Sequence, residues 1–146
     1  MDTTPPEGKR WTGAFEDDGG TPVAVFVDLP APTSSDIIAE REKRLAAGFD
    51  YDFGDARGVH HIGTTADDMQ GWDEVTMGAN AAIALGSGSS AFSIVTETGP
   101  VEVTALEWQS ILLAATAFRQ PIWSASFALQ AMDPTPSDYT DNTHWT

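Results

Sequence analysis

The sequence predicts an α+β domain of the order α-ββ-α-ββ-α, in which two β-hairpins pack on a long C-terminal helix, with an extended N-terminal arm in front. Two observations predict this fold class. Between residues 104 and 132, apolar side chains recur every three or four positions, which is the period of a helix. Upstream, residues 49–63 and 91–103 alternate apolar and polar side chains around glycine-containing turns, a pattern typical of hairpins. Each hairpin leads into a threonine that can start a helix.

Length and charge limit the classes of protein this can be. The 146 residues suit one domain, which we place at 34–132, between a docking arm at 1–33 and a tail at 133–146. With 22 acidic and 7 basic residues the net charge is −15, which repels phosphates, so we expect no nucleic-acid partner. The chain has no cysteine, which excludes disulfides and thiolate metal sites. No apolar run reaches the roughly 18 residues of a membrane span, and no secretory signal is evident, so we expect no membrane insertion and synthesis in the cytoplasm.

The N-terminal arm is expected to be a hairpin. Residues 9–15 and 23–29 form its two strands, and an acidic, glycine-containing loop joins them. Residues 30–32, Pro-Ala-Pro, extend the connector to the domain. An isolated hairpin is marginally stable in water, so we expect this arm to become ordered by docking on a partner subunit. The candidate interface side chains in the arm are Trp11, Phe15, Val25 and Val27.

The first half of the domain begins with a helix at about 37–47, for which Ser34, Ser35 or Asp36 is the expected cap. A hairpin follows, with strands at 49–53 and 59–63. Thr65, with Asp68 three residues later, predicts a capping box that starts a second helix at 66–85. Gly78 lies inside this helix at a cost of about 1 kcal/mol relative to alanine, so a close packing contact is expected there.

The second half repeats this order and ends in the longest helix. Strands are expected at 91–97 and 101–103, and Thr104 with Glu107 forms the next capping box. Pro121 cannot donate a hydrogen bond to the carbonyl of Ala117, so a kink or break is expected near Gln120. The apolar stripe is wider than a coiled-coil seam requires, which leaves open whether part of it is a subunit interface. The stripe contributes Ile122, Trp123 and Phe127 to the candidate interface residues.

The tail at 133–146 is rich in proline, aspartate and threonine and too polar to build its own core. It carries Tyr139 and Trp145, and Trp145 completes the set of candidate interface residues. With the arm, the tail is expected to dock on another subunit.

The sequence offers no cluster suited to catalysis or metal binding. His60 and His61 are neighbours on a strand, so their side chains point to opposite faces and cannot share an ion. The acidic run 50–55 lacks the glycine and glutamate positions of an EF-hand. The glycine-serine loop 86–90 lacks the lysine of a phosphate-binding loop. We therefore expect no enzyme activity, no catalytic or metal-ligating residues and no cofactor.

Residues 36–132 resemble an uncharacterised domain found in tail and tail-fibre-associated proteins of bacteriophages. The resemblance depends on the order of several segments: IIAEREKRLAAG, FDYDFGD, Thr-Ala-Asp-Asp at a helix start, NAAIALGSG, FSIVTE and Val-Thr-Ala-Leu-Glu-Trp. It implies a place in the tail of a virion and names no catalytic residue. The first 30 residues lie outside it.

Together these observations favour a structural component of a phage tail, in the tail fibre or associated with the baseplate. It would be made in the host cytoplasm, act as a homo-oligomer with a trimer favoured, and contact other virion tail proteins. Two alternatives remain at this point. One is a receptor-binding module whose aromatic side chains, Tyr139 and Trp145, stack on host surface glycans. The other is a tail-fibre assembly chaperone that is absent from the finished particle.

Overall fold

The computed structural model describes residues 2–146, in which hairpins and helices alternate. Each hairpin is an antiparallel two-stranded sheet of its own. The described elements confirm the α+β class and, after the N-terminal hairpin, the order α-ββ-α-ββ-α. They are β1 (Lys9–Asp18), β2 (Thr21–Asp28), α1 (Ser34–Leu45), β3 (Phe49–Asp52), β4 (Val59–Ile62), α2 (Ala66–Ala84), β5 (Ala91–Thr96), β6 (Gly99–Thr104) and α3 (Ala105–Ala131), followed by a 3-10 turn at Asn142–His144.

Two helices start at the threonines that the sequence indicated. The Thr65 hydroxyl accepts from the backbone N–H of Asp68 at 3.2 Å, and the Thr104 hydroxyl accepts from that of Glu107 at 3.1 Å. The expected cap of α1 is wrong, because Thr33 precedes the helix and Asp36 accepts from the Thr33 backbone N–H at 2.7 Å. Asp36 is therefore the third helical residue, the acidic partner in a capping box rather than the cap.

The larger core lies between α2, α3 and the two hairpins of the domain. Trp108 is 2 % exposed and packs edge-on against Trp72, with ring centroids 5.0 Å apart. Its indole N–H donates to the Thr76 hydroxyl at 2.9 Å, so this large side chain is buried without losing its hydrogen bond. Both hairpins contribute to this core, which contains Ile62, Trp72, Ala79, Val101, Val103, Ala105, Trp108, Ile111 and Ala115.

A second core joins α1, the C-terminal half of α3 and the tail. Ile37 and Leu45 pack there with Ile122 and Leu129, and Trp145 closes the cluster. The tail was expected to dock on another subunit, but it packs on its own chain. The reason is that one aromatic side chain fills a site that α1 and α3 leave open, so the tail needs no core of its own.

Helix α3 continues through Pro121 from Ala105 to Ala131, so the expected break near Gln120 does not occur. A proline inside a helix costs about 3 kcal/mol because a hydrogen bond is lost and its ring crowds the preceding turn. Here Pro121 and Ala117 both lie on the exposed side, so water can reach the carbonyl that lost its partner. Ala115 is anchored in one core and Ile122 in the other, which holds the helix on both sides of the proline.

The predicted close contact at Gly78 is confirmed. A Cβ atom at Gly78 would lie 3.1 Å from Cε1 of Phe92, whereas one at Gly71 on the same helix would meet nothing within 4 Å. We expect Gly78→Val to lower the free energy of unfolding by about 1–3 kcal/mol through overpacking, measured by urea denaturation. Gly71→Val is the matched control, and we expect it to change stability by less than about 0.5 kcal/mol. Equal effects at the two positions would contradict the packing argument.

Candidate protein interface

The N-terminal hairpin, β1 and β2, stands apart from the rest of the fold. Its two strands contact mainly each other, and within residues 2–146 neither core includes one of their side chains. Every residue of β1 is exposed. This hairpin, residues 9–28, is the folded part of the arm expected at 1–33, and from here on we call it the arm. Its surface can be described as two faces, because side chains opposite each other in the ladder lie on the same side.

One face of the arm is aromatic. Trp11 lies opposite Phe26, and Phe15 lies opposite Ala24. The rings of Trp11 and Phe15 are 5.4 Å apart between centroids, and these side chains remain 36 % and 45 % exposed. Their mutual contact removes only part of their surface from water, so this face remains available to a partner.

The other face of the arm, which we call the aliphatic face, carries three valines, one cation and two carboxylates. Val23, Val25 and Val27 alternate along β2 on this side, and Arg10 lies directly opposite Val27. Glu16 lies opposite Val23 and Asp18 lies opposite Thr21, so both carboxylates are near the hairpin turn. Of the predicted interface residues, Trp11 and Phe15 are therefore on the aromatic face, and Val25 and Val27 are on this one. A surface sheet normally has one apolar and one polar face, whereas the arm has apolar side chains on both.

A bulge in β1 sets which side chains lie directly opposite each other. Between the pairs Trp11–Phe26 and Phe15–Ala24, three residues of β1 oppose one of β2. Gly13 takes a φ of +82°, and the Thr12 hydroxyl donates to the carbonyl of Val25 at 3.1 Å. Phe26 and Arg10 are not among the residues predicted from the sequence. Alternation along β2 separates Phe26 from the valines and puts it on the side of Trp11, but only the bulged register shows that the two lie directly opposite each other.

The candidates outside the arm have different environments. Ile122 and Trp145 are buried inside the chain, so they have no surface for a partner and the prediction is corrected for both. Trp145 is held by the Arg44 guanidinium, 4.9 Å from its ring, and donates its indole N–H to the carbonyl of Tyr139 at 2.6 Å.

Phe127 is 60 % exposed, and the centroid of its ring lies 5.9 Å from that of the half-buried Trp123 ring. These two residues form a small aromatic patch on α3.

The same burial weakens the receptor-binding alternative. Stacking on a sugar needs an exposed aromatic face, but Trp145 is 4 % exposed and Tyr139 is half-buried beside it. The two aromatic residues of the tail hold the second core together.

No family model, curated protein or solved structure matches this chain. The resemblance of residues 36–132 to a phage tail domain therefore stays a prediction from the sequence.

Across residues 2–146, no three or more His, Asp or Glu side chains come together as a metal site requires. None of the helices described is both long and apolar enough to cross a membrane.

The two neighbouring histidines point to opposite faces of β4, as predicted. His60 is buried, and its Nδ1 lies 2.8 Å from the Thr96 hydroxyl. His61 is partly exposed, with Nδ1 2.7 Å from a carboxylate oxygen of Asp50 and Nε2 2.9 Å from the carbonyl of Ala47. Both partners of His61 can only accept, so both ring nitrogens have to donate, which requires the imidazolium form. The Asp50 carboxylate, and then the Ala47 carbonyl, raise the pKa of His61.

This arrangement makes part of the stability depend on pH. Because the folded pKa of His61 lies above its unfolded value of about 6.5, the contribution is fully present below that value and is lost as pH rises through the folded pKa. We expect His61→Gln to lower the free energy of unfolding more at about pH 5.5 than at about pH 9. Denaturation curves of both proteins at the two pH values measure this. A loss that is the same at both would show that His61 is neutral in the fold.

An ion-pair cluster fixes the turn of the β3–β4 hairpin against α3. Arg57 Nη2 lies 2.6 Å from carboxylate oxygens of both Asp55 and Glu107, and Nη1 donates to the carbonyl of Glu102 at 2.9 Å. The guanidinium hydrogen bond lowers the pKa of Asp55 to about 2, and it also lowers the pKa of Glu107. Every member of the cluster has a partner within the chain, which indicates a structural role.

Proposed function

We propose that this protein is a structural component of a bacteriophage tail, in the fibre or at the baseplate, and that it acts as a homo-oligomer through protein contacts rather than catalysis. The observation that carries the proposal is the arm, a two-stranded ribbon with apolar side chains on both faces and no place in either core. The phage context is supported by the resemblance of residues 36–132.

The energetics of the arm favour a protein partner. A two-stranded ribbon in water is marginal, because little apolar surface is buried to offset the cost of ordering its backbone. Burying one valine or phenylalanine side chain contributes about 1.5–3 kcal/mol, so covering either face would stabilise the ribbon substantially. A partner surface that accepts the arm thus gains affinity and orders the arm in the same step.

A homo-oligomer follows if the arm of one copy covers a surface of the next. Such a contact is head-to-tail, and head-to-tail contacts form a ring where the rotation between copies closes and an open filament where it does not. We favour a ring of three. The body offers further apolar surface for contacts with other virion tail proteins, at Met77, Leu85, Val95, Leu106, Leu113, Phe127 and Met132.

Mass spectrometry of purified virions tests the proposed function. The expected result is that this chain is present in washed particles, at a ratio to the major tail proteins that stays fixed through successive purification steps. If the chain is abundant in the infected-cell lysate and absent from particles, it acts during assembly, as a tail-fibre chaperone does, and the structural proposal is wrong.

A further inference from the structure

A cleft of about 480 Å³ lies between the first half of α2 and strand β5. Its floor is apolar, since Ile62, Trp72 and Trp108 from the larger core reach it together with Val75 and Ile94. Trp72 and Trp108 are buried at the base of the cleft, whereas Val75 and Ile94 are partly exposed and Val95 is 84 % exposed at its edge. A ligand with apolar side chains would gain from covering these three side chains.

The rim of this cleft is acidic. Asp67, Asp68, Glu74 and Glu97 line it, and the described residues around it include no lysine or arginine. Two of these carboxylates already have partners: Asp68 closes the capping box with Thr65, and Glu97 lies 3.5 Å from Nε2 of His61. Asp67 and Glu74 take part in no ion pair in the described structure, so their charge is available to a cationic ligand.

The cleft also exposes the open edge of a strand. In the β5–β6 ladder, Val95 lies opposite Pro100, which has no N–H, so this is a pair without mutual backbone hydrogen bonds. The N–H and C=O of Val95 therefore point away from β6, and by alternation those of Ser93 do the same. Both residues line the cleft. An extended segment lying along this edge would find backbone groups ready to pair.

The arm has the complementary properties. On its aliphatic face, Arg10 is next to Val27, and no carboxylate of the described chain pairs with Arg10, whereas Lys9 is paired with Asp28 at 3.1 Å. Strand β2 is regular and has an edge that β1 does not cover. The end of this face near Arg10 thus combines a cation without an ion-pair partner, valines and an open strand edge, which match the acidic rim, the exposed apolar side chains and the open edge of the cleft. Glu16 and Asp18 lie at the other end of the face, near the hairpin turn.

We propose that the cleft between α2 and β5 receives the arm of a second copy of this chain, with Arg10 at the acidic rim beside Glu74 and the valines of the aliphatic face on the floor. This inference builds on the homo-oligomer of the proposed function and names its contact. It accounts for the uncovered aliphatic face of the arm and for the exposed apolar side chains of the cleft with one interface.

A charge exchange in the full-length protein tests the contact. We expect Arg10→Glu and Glu74→Lys each to raise the dissociation constant of the oligomer about tenfold at low salt, and the double variant to recover most of the wild-type affinity. Sedimentation equilibrium over a dilution series measures the constants.

Each charge variant has a matched control. Lys43→Glu makes the same change in net charge as Arg10→Glu, at an exposed position outside the arm. Asp73→Lys makes the same change as Glu74→Lys, on α2 but outside the cleft lining. Both controls are expected to leave association unchanged.

The possible failures can be told apart. If the oligomer forms but neither Arg10→Glu nor Glu74→Lys weakens it beyond its control, the arm docks elsewhere; the cleft contact is then wrong while the oligomer stands. The same holds if both single variants weaken it and the double variant shows no recovery. If the wild-type chain is a monomer at every concentration, both the contact and the proposed homo-oligomer are wrong.

Discussion

Replacing Val25 and Val27 together by threonine is expected to shift the oligomer toward monomer at concentrations where the wild-type chain stays associated. Threonine keeps the β-branched shape that suits a strand, so the arm can still form its hairpin, but its hydroxyl is costly to bury against an apolar floor. We expect a loss of about 2 kcal/mol for each arm, which is about thirtyfold in each contact's equilibrium constant. Light scattering coupled to size-exclusion chromatography measures the mass.

The control for this variant is Val59→Thr. Val59 is also a strand valine, at the start of β4, and it is 53 % exposed on the body of the protein. It should leave the mass unchanged. If the arm variant and wild type have the same mass at every concentration while the oligomer persists, the aliphatic face is not part of the interface.

The second large effect is on folding. Trp108→Ala is expected to lower the free energy of unfolding by about 3–5 kcal/mol, a large share of the stability of a small domain. The change removes the packing of Trp108 on Trp72 and leaves a cavity where both domain hairpins meet α3. It also removes the indole N–H that donates a hydrogen bond to the Thr76 hydroxyl. Urea denaturation followed by circular dichroism measures the difference.

Leu113→Ala is the matched control for that variant. Leu113 lies on the same helix and is 72 % exposed, so we expect a change within about 0.5 kcal/mol. If the two substitutions cost the same, Trp108 would not be central to the core, and the packing of the hairpins on α3 would have to be reconsidered.

The sequence predicted best what depends on nearby residues. The capping boxes at Thr65 and Thr104 use residues three positions apart, and the close approach at Gly78 follows from a glycine placed inside a helix. The alternation of valines in β2 similarly indicated an apolar face. Each of these signals lies within one turn of helix or one strand, so it can be read without knowing the tertiary structure.

What the sequence did not predict depends on distant residues. Trp145 is buried because α1 and α3, far away in the chain, leave a space that it fills. The helix continues through Pro121 because two cores hold it on both sides, although local chemistry favours a break. The cleft beside β5 could not be anticipated either, since Asp67 and Ser93 come together only when α2 folds over the hairpin.

Hydrogen exchange at several protein concentrations shows whether the arm is ordered by docking on another copy. We expect backbone amides of residues 9–28 to exchange slowly in the oligomer and rapidly once dilution yields monomer, while amides of α3 remain protected in both. Equal protection of the arm in the monomer would rule out ordering by docking, because the hairpin would then be stable without any partner.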